Sequence, residues 1–426
     1  MFKMNIGLKR MVSLFLFIIF TFVLSSCSNE IKSFNLIFDE YMYTTTFIDI
    51  NIEQDRVEEI TENISKIYSK YNDLTTKYQP LDENSPFINN IFSINLNFGK
   101  KIEIDKELYD LLLYCKEIEN KTDGYFNIKM GDVIEIWKNL IQESEAEIRI
   151  GDNIFVYQYL DTTIMKTFKI NSVNNETISL ENGDVVESYQ KNDLVFFKEI
   201  SSIEYQENVE RVNEINIENS SYVLESNGYH DKTYYITTQG QRFSFDIDAI
   251  SKGYANKIVE MYLRENGILN FSINSGNSSI SLGENINRPE ENNQFIVSIK
   301  NPFNYRSNKT ISGTFKIKNN NISTTGNYEQ FRYFNGKKIS HIISPINYLP
   351  VDFYGSITVI GEDSSLIDAL STAFYSMPPA KLEYFLTQEN HGFQIEVIIV
   401  NNDGMVDTFL TKTNFEEFNS WKTIKN

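Results

Sequence analysis

Cysteine and histidine are nearly missing from this chain. Two cysteines (Cys27, Cys115) and three histidines (His230, His341, His391) stand in 426 residues. No Cys/His cluster of metal-ligand spacing exists. A Gly-x-Ser-x-Gly elbow is absent, as is a phosphate loop ending in Gly-Lys-Ser/Thr, so two common catalytic layouts are excluded. Positive charge is short as well: 39 Lys and Arg against 58 Asp and Glu leave a net charge of −19. Phosphates would be repelled, which argues against a nucleic-acid partner. Internal repeats and low-complexity runs are missing too. What is present is a globular composition, 41% hydrophobic and 23% charged, in a chain long enough for one large domain or two.

The N-terminus reads as targeting. Lys3, Lys9 and Arg10 precede an apolar run, Met11–Leu24, that is too short for a comfortable transmembrane span. It ends in Leu24-Ser25-Ser26-Cys27, which resembles a bacterial lipobox. The expectation is a lipoprotein signal over residues 1–27, with Cys27 lipidated and the body tethered to a membrane outside the cytoplasm. An uncleaved anchor helix is the alternative. Lipidation of Cys27 leaves Cys115 alone, so no internal disulfide forms. Cys115 closes the helical apolar run Leu111–Cys115 and reads as a buried core thiol.

The body divides into residues 28–142, 143–205 and 206–426. In the first part, Phe34–Ile52 reads as two strands. Val57, Ile60, Ile64 and Ile67 give helical spacing, and Lys106–Thr122 is a second helix stopped at Asp123-Gly124. Residues 143–205 are short strands separated by Asn, Gly and Asp turns, which predicts a small all-β insertion of barrel or sandwich type. The third part alternates, with a helix over Ala255–Asn266 and strands at Asn270–Asn274 and Phe295–Lys300. Then comes Ile322–Pro345, a strand, a glycine turn and a second strand, with Asn335-Gly336 as a hairpin signal.

Three stretches could carry chemistry. Ser323-Thr324-Thr325-Gly326-Asn327-Tyr328 gathers hydroxyls and amides around a glycine, a seat for phosphate oxygens. Phe245–Ala255 leads into a helix with Lys252 beside its start; helix end and cation together attract an anion such as a pyrophosphate. An ordinary capped helix with a solvated lysine accounts for it equally well. Asp368 and Thr372 are four apart on one helix face, and a carboxylate plus a hydroxyl suits Mg²⁺. A polar helix stripe is the plain alternative. His341 is either a packed strand histidine or a base or proton shuttle.

Read in order, the blocks Tyr41–Thr46, Asp73–Tyr78, Gly124–Ile128 with Ile136-Trp137, Phe245–Ala255, Asn274–Gly283, Ile322–Pro345 and Ser364–Phe374 resemble the ApbE family. Its members are flavin transferases that move FMN from FAD onto a protein. The resemblance implies a mixed α+β fold with a nucleotide cleft between its lobes. It implies an FAD- and Mg²⁺-dependent transferase that attaches FMN by a phosphoester bond to a Thr or Ser of an extracytoplasmic redox protein, releasing AMP. It implies cofactor contacts at Met42, Tyr78, Asp246, Lys252, Asn274, Gly276, Thr325, Gly326 and His341. Metal ligands would be Asp368, Thr372 and the Ser251 carbonyl, with His341 and Asp368 catalytic. The chain departs from the pattern at Tyr43, Asp248, Ala249, Ser275 and Tyr348, where glycines are usual, and at Asn127, where Asp is usual. Those departures leave two alternatives: a degenerate member that only binds or hydrolyses FAD, and a surface lipoprotein that keeps the fold as a scaffold.

Overall fold

The computed structural model describes residues 31–142, 150–158, 161–174, 176–183, 185–190, 194–229, 231–303, 310–328, 330–389, 391–413, 415–417 and 424–425. The expected lipobox with Cys27, the start of the insertion at 143–149, and His230 lie outside the described residues. Among the described residues no helix is long and apolar enough to cross a membrane.

The chain opens with a hairpin, β1 (Ile31–Tyr41) and β2 (Thr44–Glu53), closed by the two-residue turn Met42-Tyr43. Helix α1 (Val57–Thr75) lays Ile60, Ile64, Tyr68 and Tyr71 against this hairpin, as the i, i+4, i+8, i+11 spacing requires. Next come α2 (Ile91–Leu96), β3 (Lys101–Ile104), α3 (Lys106–Lys121) and α4 (Gly131–Gln142). Cys115 is buried in α3, as expected, and burial pushes its thiol up beyond the ordinary range.

The insertion contributes β4 (Asn153–Gln158), β5 (Asp161–Val173), β6 (Thr177–Asn182), β7 (Val185–Gln190) and β8 (Leu194–Lys198). They form one open antiparallel sheet in the order β7-β6-β5-β4-β8. The expected barrel or sandwich is therefore corrected. Among the described residues β7 and β8 end at opposite edges and do not pair, and one small cluster, Ile154, Val156, Ile170, Ile178 and Leu180, covers a single face.

The chain then returns through α5 (Ser202–Asn213), β9 (Ser221–Asn227) and β10 (Thr233–Gln239) to α6 (Asp248–Glu265). This helix starts seven residues earlier than its periodicity predicts. The Asp246 side chain accepts the Asp248 N–H at 3.0 Å and so supplies the cap from two residues upstream. Strands β11 (Phe271–Ser275), β12 (Ser279–Leu282), β13 (Phe295–Lys300), β14 (Ile311–Ile317) and β15 (Asn320–Gly326) follow. The hairpin β16 (Phe331–Phe334) and β17 (Lys337–Ser340) turns at Asn335-Gly336, both with positive φ, as that dipeptide predicts. Last come β18 (Tyr354–Gly361), α7 (Ser364–Ser376), α8 (Pro379–Tyr384), β19 (Ile395–Asn401), β20 (Val406–Phe409), β21 (Phe415–Glu417) and β22 (Ile424–Lys425).

The main sheet runs β1-β2-β11-β12-β15-β18-β19-β20-β22. Every residue of β18 is buried. Such a strand must be covered on both faces: α7 lies over one, and residues of β13 and β14 share a core with the other. The fold is thus mixed α+β, with two helices, α6 and α7, crossing under the C-terminal end of β15. Their crossing is unusually close. A Cβ on Gly253 of α6 would fall 2.3 Å from the Ser364 carbonyl and 2.6 Å from the Asp368 Cβ. The Ser364 hydroxyl donates to the Gly253 carbonyl at 2.9 Å, so the helices are also bonded there. Gly253→Ala has no room without a helix shift. It is expected to destabilise the protein by about 1–3 kcal/mol, read as a lower urea midpoint at unchanged slope; an unshifted midpoint would show that the crossing is loose.

Candidate active site

A cavity of about 400 Å³ opens where α6, α7, the end of β15 and the β1–β2 and β11–β12 turns converge, with α4 and the open end of the β16–β17 hairpin as its other walls. That size is ordinary for a small-molecule site. Of the residues singled out in the sequence, Met42, Asp246, Ser251, Lys252, Gly276, Thr325, Gly326, His341, Asp368 and Thr372 line it. Tyr78 and Asn274 do not. Tyr78, half-exposed, stands beside the lining, accepting a hydrogen bond from Lys138 at 2.8 Å and meeting the Tyr43 ring edge-to-face at 5.1 Å. Asn274 accepts the Asn277 N–H at 3.0 Å and so shapes the turn that carries Gly276.

Asp368 is the centre of the polar wall. One carboxylate oxygen accepts the Gly253 N–H at 2.9 Å, and the other accepts the Ser323 hydroxyl at 2.9 Å. Ser323 touches Ser371 at 3.2 Å; Thr325 touches Ser371 at 2.8 Å and Thr372 at 3.4 Å. β15 alternates these hydroxyls onto the face that meets α7, and i, i+3 and i+4 spacing brings Asp368, Ser371 and Thr372 to the same side. Burial pushes the Asp368 carboxyl up; Lys252, the Gly253 N–H and Ser323 oppose this only in part. A buried carboxylate so compensated is short of positive charge. Its neighbours are hard, neutral oxygens, and among the described residues no three His, Cys, Asp or Glu groups cluster as a ready metal cage. This donor set fits Mg²⁺, which takes one or two carboxylates and completes its shell with water and phosphate.

At the start of α6 a second charged group was not legible in the sequence. Lys77, mostly buried, forms an ion pair with Asp246 and lies 3.9 Å from Asp248. Burial opposes its charge, but Asp246 and then Asp248 outweigh that and hold the ammonium above the usual lysine range. Asp248 has half its side chain open to the cavity. Desolvation by the surrounding walls and repulsion from Asp246 push its carboxyl up to about 6, against the pull of Lys77, Lys252 and Lys138. His341 is half-buried; its Nδ1 donates to the Gln330 carbonyl at 3.2 Å, which leaves Nε2 with the lone pair. Burial, then Lys252 and Lys138, hold the imidazole below its ordinary value against the Gln330 contact, so it is neutral at physiological pH.

The departures from glycine are accommodated in different ways. Tyr43 and Tyr348 keep the left-handed backbone, at φ 57° and 61°. Such a conformation in a residue other than glycine costs roughly 1–2 kcal/mol. The Met42-Tyr43 turn is held by the Asn72 side chain, which accepts the Met42 N–H at 3.0 Å, and by a Tyr43–Thr76 contact at 3.2 Å. Ser275 does not intrude on the cavity. It is fully buried, with its hydroxyl on Asn256 at 3.0 Å and on Thr46 at 2.9 Å.

An anion-attracting helix start, a hydroxyl-lined strand end and the buried carboxylate of Asp368 share one cleft of an α+β fold, with a place for a hard cation. Comparison with known proteins supplies the family. The ApbE family model matches residues 42–398, and the chain belongs to that family. Curated relatives carry the name FAD:protein FMN transferase: one from Buchnera aphidicola subsp. Schizaphis graminum is 27% identical over 158 residues, 37% of this chain and 44% of its own. Another from Rhodobacter capsulatus is 30% identical over 129 residues, 30% of this chain and 23% of its own. The aligned region thus spans less than half the length of these relatives. Among solved structures, an ApbE protein from Thermotoga maritima superposes with a TM-score of 0.58 at 18% identity over 88% of this chain and 97% of that one. The flavin transferase ApbE from Vibrio cholerae does so at 0.58 and 16%, over 90% and 98%. These likenesses establish the fold.

Asp248 gives a direct test of the electrostatics. Asp248→Asn removes a negative charge from the cavity, about 1 kcal/mol of repulsion, and is expected to tighten inorganic pyrophosphate roughly fivefold near pH 7.5. Wild-type affinity is expected to rise as the pH falls toward 5 and Asp248 takes up its proton, while the variant lacks that rise. Calorimetric titrations with pyrophosphate read both, and a variant that keeps the wild-type pH dependence would refute the assignment.

Proposed function

We propose that this protein is an FAD-dependent flavin transferase. Its reaction breaks the pyrophosphate P–O bond of FAD and forms a phosphoester between FMN and a Thr or Ser hydroxyl of an acceptor protein. AMP leaves, and the hydroxyl proton passes to a base. The observation that carries this reading is the placement of Asp368, bonded at once to the first turns of α6 and to β15, in the wall of a cavity lined with hydroxyls.

In this reading the start of α6, with Lys252, receives the pyrophosphate, and Thr325 and Gly326 hold a phosphate or ribose oxygen. Asp368, Thr372 and the Ser251 carbonyl would hold Mg²⁺. When bound, that ion neutralises charge on the phosphates and aligns them. His341, whose Nδ1 meets the Gln330 carbonyl so that Nε2 is free of that contact, would take the acceptor's proton. Met42, Gly276 and Asp246 shape the remaining wall, with Tyr78 and Asn274 supporting its residues from beside it. The acceptor is an extracytoplasmic redox protein near the same membrane, which a lipid on Cys27 would suit.

One observation favours a second reading. Asp248 places negative charge where phosphates are to lie, which fits a member that binds FAD weakly or hydrolyses it without transfer. Incubation with FAD, Mg²⁺ and a candidate acceptor carrying a single Thr separates the two. The acceptor should gain the mass of one FMN moiety; AMP release without that gain supports hydrolysis. Asp368→Ala is expected to lower the transfer rate on the order of 100-fold or more, roughly 3 kcal/mol of transition-state stabilisation. Transfer at the wild-type rate would remove the metal assignment.

A further inference from the structure

We propose that Arg332 is a positioning residue for His341, and that the all-β insertion acts through it as a brace on the hairpin that carries the histidine. For turnover this rests on the reading of the cavity as the transfer site; for the placement of His341 it does not.

The two ends of the β16–β17 hairpin do different things. At its open end Gln330 and His341 line the cavity, tied together because the His341 N–H and Nδ1 both meet the Gln330 carbonyl at 3.2 Å. At its closed end the Gly336 N–H donates to a Glu199 carboxylate oxygen at 3.0 Å, and the Ile200 N–H donates to the Tyr333 carbonyl at 2.7 Å. The Phe334 ring stacks on Tyr205 at 4.2 Å, nearly parallel. Arg332 sits between the two ends, 1% exposed. Its guanidinium donates to the carbonyls of Leu140 at 2.7 Å, Glu199 at 3.3 Å and Lys198 at 3.4 Å.

A four-residue, two-stranded hairpin is marginal on its own in water, so something else must fix it. A buried guanidinium carries five donors in a rigid fork, and each carbonyl it meets is held in a fixed direction. Those carbonyls belong to the last turn of α4, where a cation is favoured by the helix dipole, and to the segment leaving β8. One side chain therefore joins the wall helix that carries Lys138, the last strand of the insertion, and the strand that leads to Gln330. The insertion is not a free appendage: the Glu199 N–H is itself bonded to the Asn153 carbonyl at its first strand.

His341 reports on this directly. Its environment is set by burial, by the Gln330 carbonyl, by Lys252 from α6 and by Lys138 from α4. A loosened hairpin exposes the ring and moves its titration up toward the ordinary value near 6.5. The test is an NMR titration of His341, one of only three histidines, in the full chain without FAD, for the wild type, Arg332→Met and Glu199→Ala. Both variants are expected to raise the His341 titration point, Arg332→Met the more. Both should also lower kcat for FAD cleavage, by on the order of 10-fold for Arg332→Met, with KM for FAD within about twofold. A folded variant of either kind whose His341 titrates as in the wild type overturns the proposal. If Arg332→Met does not fold, Arg332→Lys decides, because it keeps a cation at the end of α4 and removes the forked contacts to the Lys198, Leu140 and Glu199 carbonyls. Failure of both to fold also overturns it, since the contacts would then hold the whole core and not the hairpin. A titration shift in the variants, with a wild type that never cleaves FAD, leaves the positioning role standing and removes the functional reading.

Discussion

The rest of the structure turns on one carboxylate, that of Asp368. It bonds to the first turns of α6 and to the hydroxyl end of β15 at the same time. Its helix is fixed upstream by Asp363, whose side chain caps α7 by accepting the Ser365 and Leu366 N–H groups at 3.0 and 3.2 Å. Lys257 of α6 and Tyr114 of α3 bind the other oxygen of that cap at 2.7 and 3.0 Å. Two acids five residues apart thus lock three helices and a strand around one corner of the cavity. A buried acid of this kind costs stability unless charge arrives to meet it, and that is the physical reason to read the corner as a cation site.

Much of this corner was legible in the sequence because its parts are local. Asp368 and Thr372 show their shared face by spacing alone, and the hydroxyls of Ser323–Thr325 are consecutive. The Asn335-Gly336 turn announces its own geometry. What was not legible was whatever depends on contact between distant segments. Lys77 finds Asp246 across 169 residues, and nothing near either residue marks the pair. The start of α6 was placed late because its cap comes from a side chain outside the apolar period. The insertion's sheet is open where a barrel or sandwich was expected. Alternating short strands look the same whether their edges meet or not, and only pairing decides it.

The replaced glycines show how a family pattern tolerates change at a site. Where glycine supplied only backbone freedom, Tyr43 and Tyr348 keep the same left-handed angles, and neighbouring contacts hold them there: the Trp137 indole N–H donates to the Tyr348 carbonyl at 2.8 Å. Where glycine supplied space, Ser275 turns its hydroxyl into a buried network with Thr46, Asn256 and Tyr68. Asp248 is different in kind, because it adds charge to the cavity itself. The backbone departures are thus absorbed by packing, while the electrostatic one alters what the cavity prefers to hold.

The absence of a side chain at Gly253 bears on how a ligand reaches the interior. Two helices whose backbones touch, with a carbonyl 2.3 Å from where a methyl would stand, cannot slide past one another to open a route. That side is therefore closed to a ligand, and the exposed Tyr43 and half-exposed Asp248 side chains mark where the cavity lining meets solvent. Tyr43, 66% exposed, therefore holds a bulky ring at the cavity's edge where a glycine would leave the opening wider.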